Sequence, residues 1–195
     1  MKPPDTCALW CVVAPGLERV AETELRALGA DAVERQRGAL MLEVSPDIAL
    51  TIAVGSRIVE AVRLEIARFG ARDVRALDAG LRASPLAQWL PARGLVRVDV
   101  ACHKSRLYHS GLVGERVVEA VREAGGRARI GASDDEPAGH LHLRLDHDEA
   151  LLRVELAAPR AHRRGWRTQV GKASMRETMA AAALLALDWQ PTPGG

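Results

Sequence analysis

The sequence predicts an α+β chain of two units, and three observations carry that reading. Short apolar runs alternate with polar residues at period two, as in Leu40-Met41-Leu42-Glu43-Val44 and Leu141-His142-Leu143-Arg144-Leu145. Segments with apolar residues at helical spacing lie between those runs. Glycine or proline punctuates many of the junctions. With 195 residues, 48% of them hydrophobic, the chain is long enough for one large or two small cores and too apolar for a disordered tail.

Ala8 to Ala14 reads as a short buried strand, closed by Pro15-Gly16. Leu17, Val20, Ala21, Leu25 and Leu28 recur at helical spacing, and Gly29 ends that helix. Ala32 to Arg37 forms a strand and Gly38 a turn, after which Leu40, Leu42 and Val44 alternate as the next strand. A second helix starts at Ser45-Pro46-Asp47. Ser45 offers a side-chain oxygen to the unpaired N–H groups of the first turn, and Pro46 has no N–H to satisfy. Val62, Leu64 and Ile66 then alternate with Arg63 and Glu65. The order is strand, helix, strand, strand, helix, strand, a split βαβ arrangement with two helices on one face of an antiparallel sheet. It closes near Gly70.

A second unit follows, joined around residues 69–74. Val74 to Leu81 and Pro85 to Leu90 read as short helices, and Val96, Val98, Val100 and Cys102 as a half-buried strand. Val113, Val117, Ala120, Val121 and Ala124 line one face of a helix that Gly125-Gly126 stops. Asp134 to Gly139 is a polar loop. Leu141, Leu143 and Leu145 alternate, turn through Asp146 to Glu149, and resume in Leu152, Val154 and Leu156 as a hairpin. At the end, Ser174-Met175-Arg176-Glu177 fits a capping box, in which two end groups of a helix satisfy each other. Ala180, Ala183, Leu184 and Leu187 form the stripe of that helix, which needs a partner to pack on.

Charge narrows the function. Lys and Arg number 27 against 25 Asp and Glu, a net +2, which excludes a uniformly basic nucleic-acid coat and leaves anion binding to local clustering. No apolar run approaches the ~20 residues that span a bilayer, and residues 1–14 do not read as a secretory leader. No membrane partner is therefore expected. Cys7, Cys11 and Cys102 are too few for a disulfide framework, and their odd number points to a reducing, cytoplasmic compartment. The chain has no asparagine, which removes N-glycosylation and Cys-His-Asn triads.

Catalytic and metal readings are weak on the sequence. Cys7 and Cys11 share one side of an apolar strand and read as buried small hydrophobes. His140, His142 and His147 have ligand-like spacing, but no placed carboxylate or thiolate completes the set, and the leucines mark the core side, so they read as solvent-facing. Asp134-Asp135-Glu136 reads as a solvated loop, and no nucleotide-binding, phosphate-loop, zinc-protease or nucleophile-elbow motif occurs. No catalytic residue and no metal ligand is expected.

Two basic stretches stand out instead. Cys102-His103-Lys104-Ser105-Arg106-Leu107-Tyr108-His109-Ser110-Gly111 leaves a strand and enters a helix. Free N–H groups at that helix start favour phosphate, Lys104 and Arg106 release counterions, and Tyr108 can stack on an unpaired base. A polar loop with Tyr108 capping the core stays open as the other reading. Ala157 to Arg176 holds six cationic and no acidic residues, so the rest of the chain carries a net −4. RNA contact there is favoured over an Arg-rich linker seated on carboxylates, while Trp166 is expected to pack. The candidate RNA-binding residues are Lys104, Ser105, Arg106, Tyr108, His109, Arg160, Arg163, Arg164, Arg167, Lys172 and Arg176.

The segment His162-Arg163-Arg164-Gly165-Trp166-Arg167 followed by Lys172-Ala173-Ser174-Met175-Arg176-Glu177-Thr178-Met179-Ala180-Ala181-Ala182 resembles the hinge of THUMP-containing class I RNA methyltransferases, whose pattern is "RGYR … KAP(L/I)(R/K)ETLAAA". It departs by Trp166 for Tyr, Ser174 for Pro, and Met for Leu. Lys104-Ser105-Arg106-Leu107-Tyr108-His109-Ser110-Gly111 is similar to the THUMP strand-to-helix segment. Ala14-Pro15-Gly16-Leu17-Glu18 with Glu22 and Glu24-Leu25 is similar to the family's N-terminal domain.

The resemblance implies a ferredoxin-like βαββαβ domain over residues 1–69 and a THUMP α/β RNA-binding domain over 70–165. Residues 166–195 become the hinge and first helix of a Rossmann-like methyltransferase domain whose remainder is missing. The chain stops at Pro193-Gly194-Gly195, where another strand is expected to begin. The family's S-adenosylmethionine loop, D-P-x-C-G-S-G, and its D/N-P-P-Y motif lie beyond this point and do not occur here. The resemblance thus implies no cofactor in this chain and S-adenosylmethionine for the missing domain. It implies a parent enzyme that methylates guanine N2 in ribosomal RNA, or in transfer RNA, with this chain docking the RNA. Three alternatives are an RNA-binding adaptor docking a separate catalytic subunit, the THUMP module of another RNA-modifying enzyme, and a small-molecule-binding module.

Overall fold

The computed structural model describes residues 5–131, 137–156 and 174–189. The chain divides into two compact units, one of residues 1–64 with 156–195, the other of residues 65–155. Both mix helices with strands, all antiparallel pairs in the first unit and a mixture of parallel and antiparallel pairs in the second.

In the first unit β1 (Cys7–Val12), α1 (Glu18–Ala27), β2 (Glu34–Gln36), β3 (Ala39–Val44) and α2 (Pro46–Gly55) follow in the expected order. β4 (Ala61–Gly70) begins here and runs on into the second unit. The strands lie in the order β2-β3-β1-β4, every pair antiparallel. Register follows from the period-two pattern: Leu42, Leu9 and Leu64 form one cross-strand row, and Leu40, Cys11 and Val62 the next, all buried. α1 packs on β3 and α2 on β1, burying Ala21 and Leu25 from the first helix and Ala49 and Ile52 from the second. Gly38, at φ +74°, turns β2 into β3 in a conformation that a side chain would strain. Ser45 caps α2 as expected, accepting from Ile48 N at 3.4 Å, with Pro46 first in the helix.

Cys7 and Cys11 are buried, as their apolar strand predicts. Burial pushes the Cys11 thiol up to about 12. At pH 8 only about one Cys11 in ten thousand is then thiolate. A thiol-reactive dye is therefore expected to modify half-exposed Cys102 in the native chain and Cys11 only at the rate of unfolding. Rapid native labelling of Cys11 would contradict this packing.

The largest polar investment of the first unit is one carboxylate. Glu24 of α1 is buried, and its Oε2 accepts from Ser56 Oγ at 2.7 Å and from Ile58 N at 3.1 Å. Arg57 adds its backbone N at 3.1 Å and its Nε at 3.2 Å. Glu24 thus satisfies the chain as it leaves α2 for β4, where those N–H groups have no strand partner.

The C-terminal helix α6 (Glu177–Ala186) packs on α1 within the same unit. Here the structure corrects the capping-box reading. Arg176, not Ser174, is the N-cap, with extended backbone and no side-chain cap, and its Nη1 lies 3.2 Å from Glu60 Oε1. The buried pair Thr178 and Ala182, one turn apart, fixes the face that meets α1. The stripe read from the sequence is the other face, and Leu184 and Leu187 stand exposed on it.

In the second unit β4 is followed by α3 (Val74–Ala83), α4 (Leu86–Trp89), β5 (Val96–His103), α5 (Ser110–Glu123), β6 (Ala128–Ile130), β7 (Gly139–Asp146) and β8 (Glu149–Glu155). The strand order is β4-β8-β7-β5-β6. β5 runs parallel to both β6 and β7, while β7 and β8 form an antiparallel hairpin. β6 has no counterpart in the sequence reading, because three residues are too few to show a period. The leucine face of the hairpin is buried, together with Val96 and Val98 of β5 and Val113, Val117 and Val121 of α5. α5 packs on β5 and β6, and α3 packs on α5. Asp73 caps α3 by accepting from Ala76 N at 2.9 Å. Gly80 of α3 leaves room for the Phe69 ring, which a Cβ there would meet at 2.0 Å.

Candidate nucleic-acid interface

β5 ends at His103 and α5 begins at Ser110, so the six residues between them form a bridge over the carboxyl end of the strands. Its backbone is tightly specified. Lys104 sits at φ +44°, a left-handed conformation costing roughly 1–2 kcal/mol for a residue with a Cβ. Neighbouring hydrogen bonds hold it there. Ser105 Oγ donates to His103 O at 2.9 Å and accepts from Asp148 N at 3.0 Å. Asp148 Oδ1 accepts from Arg106 N at 2.7 Å, and Asp148 O accepts from Ala71 N at 2.7 Å. Asp148 itself lies in the two-residue turn His147-Asp148, both at positive φ, the geometry that suits a tight antiparallel hairpin.

What this frame presents is cationic and aromatic. Lys104, Arg106, Tyr108 and His109 are exposed, and Ser105 is half-buried in its bonding role. Arg106 Nε lies 3.6 Å from Asp148 Oδ2, yet its side chain remains 74% exposed, so the rest of the guanidinium fork is open to a ligand. Tyr108 is 69% exposed with its ring 4.0 Å from that of His109. That corrects the alternative in which Tyr108 caps the core. His109, the N-cap of α5, makes no side-chain cap bond, so the positive end of the helix dipole is not screened by its own cap.

Beside the bridge, His103 Nδ1 and His147 Nδ1 lie 3.0 and 2.8 Å from Asp146 Oδ1. Hydrogen bonds from His103 first, then Arg144 and His147, hold the Asp146 carboxyl far below the usual carboxylate range. Arg176 lies in the first unit, paired with Glu60 and 60% exposed. The other candidates, Arg160, Arg163, Arg164, Arg167 and Lys172, fall outside the described residues, as do His162 and Trp166.

A second polar cluster overturns the sequence reading. His140 and His142 are not solvent-facing: their side chains are only 12% and 11% exposed. They lie on the face of β7 opposite the leucines, and neighbouring strands supply the carboxylates the sequence did not place. His140 Nε2 is 2.8 Å from Asp99 Oδ2 of β5, and His142 Nε2 is 3.1 Å from Glu155 Oε2 of β8. Burial alone would raise the Glu155 carboxyl, but the hydrogen bonds from His140 and His142 outweigh it and hold the group well below its ordinary value. Asp99 follows the same pattern, burial being outweighed by His140 and Arg97.

No family model matches the chain. A ribosomal RNA large subunit methyltransferase K/L from Syntrophotalea carbinolica is 34% identical over 178 residues, 89% of this chain and 25% of its own length. The chain spans about a quarter of the length of the curated relatives it matches. Among solved structures, TrmN from Thermus thermophilus aligns over 93% of this chain and 55% of its own, with a TM-score of 0.70 and 25% identity. A predicted N6-adenine-specific DNA methylase from Listeria monocytogenes shares the fold at a TM-score of 0.76, with 23% identity over 94% of this chain and 49% of that one. Over most of its length, then, this chain is similar to part of ribosomal RNA methyltransferases.

Proposed function

We propose that this chain is the RNA-docking part of a ribosomal RNA methyltransferase, and that it holds structured RNA for methyl transfer by a catalytic domain outside it. The observation that carries the reading is the bridge between β5 and α5, where Lys104, Arg106 and Tyr108 stand exposed at a helix start without a side-chain cap. Cations there neutralise phosphates, the helix end adds N–H donors, and an exposed ring stacks on a splayed base. The similarity to ribosomal RNA methyltransferases supports ribosomal RNA over transfer RNA as the ligand.

On this reading residues 1–69 are a ferredoxin-like domain, supported by the β2-β3-β1-β4 order with two intervening helices. Residues 70–165 are a THUMP domain, and 166–195 are the hinge and first helix of the catalytic domain. S-adenosylmethionine and the guanine N2 acceptor belong to the catalytic domain, and this chain binds no cofactor for the reaction. The protein acts in the cytoplasm; among the described residues no helix is long and apolar enough to cross a membrane. The exposed Leu184 and Leu187 of α6 favour a docked catalytic partner, covalent or separate. An in-frame D-P-x-C-G-S-G downstream of Gly195 identifies the covalent case, and a stop codon the adaptor.

Binding of the full chain to a structured large-subunit ribosomal RNA fragment tests the proposal. Affinity is expected to fall steeply with salt, log K against log salt having a slope of about −2 or steeper. With S-adenosylmethionine added, no methyl group is transferred. Salt-insensitive binding, or none at low salt, refutes the docking role.

A further inference from the structure

The paired histidines and two carboxylates form one largely buried cluster across β5, β7 and β8. His140 directs Nε2 at Asp99 Oδ2, 2.8 Å away, and Nδ1 at Glu155 Oε2, 3.4 Å away. His142 has its nitrogens exchanged: Nε2 hydrogen-bonds Glu155 Oε2 at 3.1 Å, and Nδ1 lies 4.0 Å from Asp99 Oδ2, beyond hydrogen-bond reach. Each ring thus lies between two carboxylates, and carboxylates only accept. Each ring makes one close hydrogen bond, His140 Nε2 to Asp99 and His142 Nε2 to Glu155, and turns its other nitrogen towards the second carboxylate. The ring centroids are 3.9 Å apart and both side chains are largely buried, so the four groups are held in one frame. A cation on the Asp99 side accepts lone pairs from His140 Nε2 and His142 Nδ1, while the other nitrogen of each ring donates to Glu155.

We propose that Asp99, His140 and His142 bind one divalent transition-metal ion of the zinc type, with Glu155 orienting the two imidazoles from behind. The ligand atoms are Asp99 Oδ2, His140 Nε2 and His142 Nδ1. One potential ligand atom from each of these three residues lies within 4.8 Å of the others. Bonds of about 2.0–2.1 Å require small rotamer shifts from that spacing. Two imidazoles and one carboxylate suit zinc, cobalt or nickel better than magnesium or calcium, which take all-oxygen sets. A carboxylate on the far nitrogen of each ligand histidine is the support such sites use to fix ring orientation.

Arg97 also contacts Asp99, its Nη2 3.0 Å from Oδ2 and its Nε 3.1 Å from Oδ1, and it keeps the Oδ1 contact when Oδ2 turns to the ion. The ion has an entry path. Asp99 is one-third exposed, and a cleft of about 230 Å³ lined by Trp89, Pro91, Gly139, His140 and Glu155 reaches the cluster. Bound there, the ion ties β5 to β7 directly and to β8 through Glu155.

The second histidine pair is the comparison within the chain. With Asp146 it too brings three ligand atoms within 4.8 Å of one another, but His103 and His147 both turn Nδ1 to the same Asp146 oxygen and are 52% and 69% exposed, so those rings are not held in a buried frame. The full chain, stripped with chelator and titrated with Co2+, is expected to bind one ion with visible bands of nitrogen-coordinated cobalt that Zn2+ abolishes. His140→Gln weakens Co2+ binding at least tenfold, and His147→Gln leaves it unchanged. In the unsubstituted protein Zn2+ shifts the imidazole nitrogen resonances of His140 and His142 and leaves those of His103 and His147 in place, a readout independent of any variant's folding. No Co2+ binding by the unsubstituted chain, binding that survives His140→Gln, or resonance shifts confined to His103 and His147 each overturn the proposal.

Discussion

A chain carrying Lys104→Gln, Arg106→Gln and Tyr108→Ala is expected to bind structured RNA at least 30-fold more weakly than the unsubstituted chain, with the fold intact. Loss of a stacked ring costs about 1–3 kcal/mol, and each lost phosphate contact lowers the salt slope by about 1. The combined effect is roughly 2–4 kcal/mol at moderate salt, with a slope shallower by about 1.5–2. All three side chains are exposed, so no core contact goes with them. Glutamine in place of Lys104 keeps the left-handed backbone no more strained than before. Arg122→Gln is the control: it lies 68% exposed in the last turn of α5, at the negative end of the helix, and should change affinity less than twofold. Equal weakening by both variants would reduce the interface to unspecific charge.

The second large effect falls on stability. Glu24→Ala is expected to destabilise the chain by about 3–5 kcal/mol in urea unfolding, because it removes the acceptor for Ser56 Oγ and for the backbone N–H groups of Arg57 and Ile58. Those donors lie under α1 with little access to water, and each orphaned one costs about 1–3 kcal/mol. Glu24→Gln keeps one amide oxygen as an acceptor and is expected to lose about half as much. A Glu24→Ala chain as stable as the original would mean that water reaches Ser56 and Ile58, contrary to their burial.

The elements most legible in the sequence are those with a strong local period. β3, β5 and the β7–β8 hairpin follow from alternation, β1 from its apolar run closed by Pro15-Gly16, α1 and α5 from helical spacing, and the start of α2 from Ser45-Pro46. β6 is too short to show a period. The end of the chain misled for a tertiary reason: Ser174-x-x-Glu177 is a sound local cap, but burial of Thr178 and Ala182 against α1 sets where α6 begins. The histidines misled for a topological one. A strand read alone has one core face, marked here by leucines, and the other face is assumed wet. β7 lies between β5 and β8, so Asp99 and Glu155 reach its polar face from positions 41 and 13 residues away from their histidine partners. The signal was present as acidic residues on the polar alternation of two other strands, Asp99 beside Val98 and Val100, and Glu155 beside Val154. Only the register joins them. The bridge was legible because its chemistry is contiguous from His103 to His109, although the serine and aspartate bonds that shape it were not.

Lysine footprinting puts the RNA-docking account to the most direct test, since the chain has only three lysines: Lys2, Lys104 and Lys172. Acetylation of the full chain is measured by mass spectrometry with and without saturating large-subunit ribosomal RNA fragment. Protection of Lys104 and Lys172, with Lys2 labelled at its free rate, is the predicted pattern. Unchanged labelling of Lys104 under saturating RNA would place the ligand elsewhere and contradict the account.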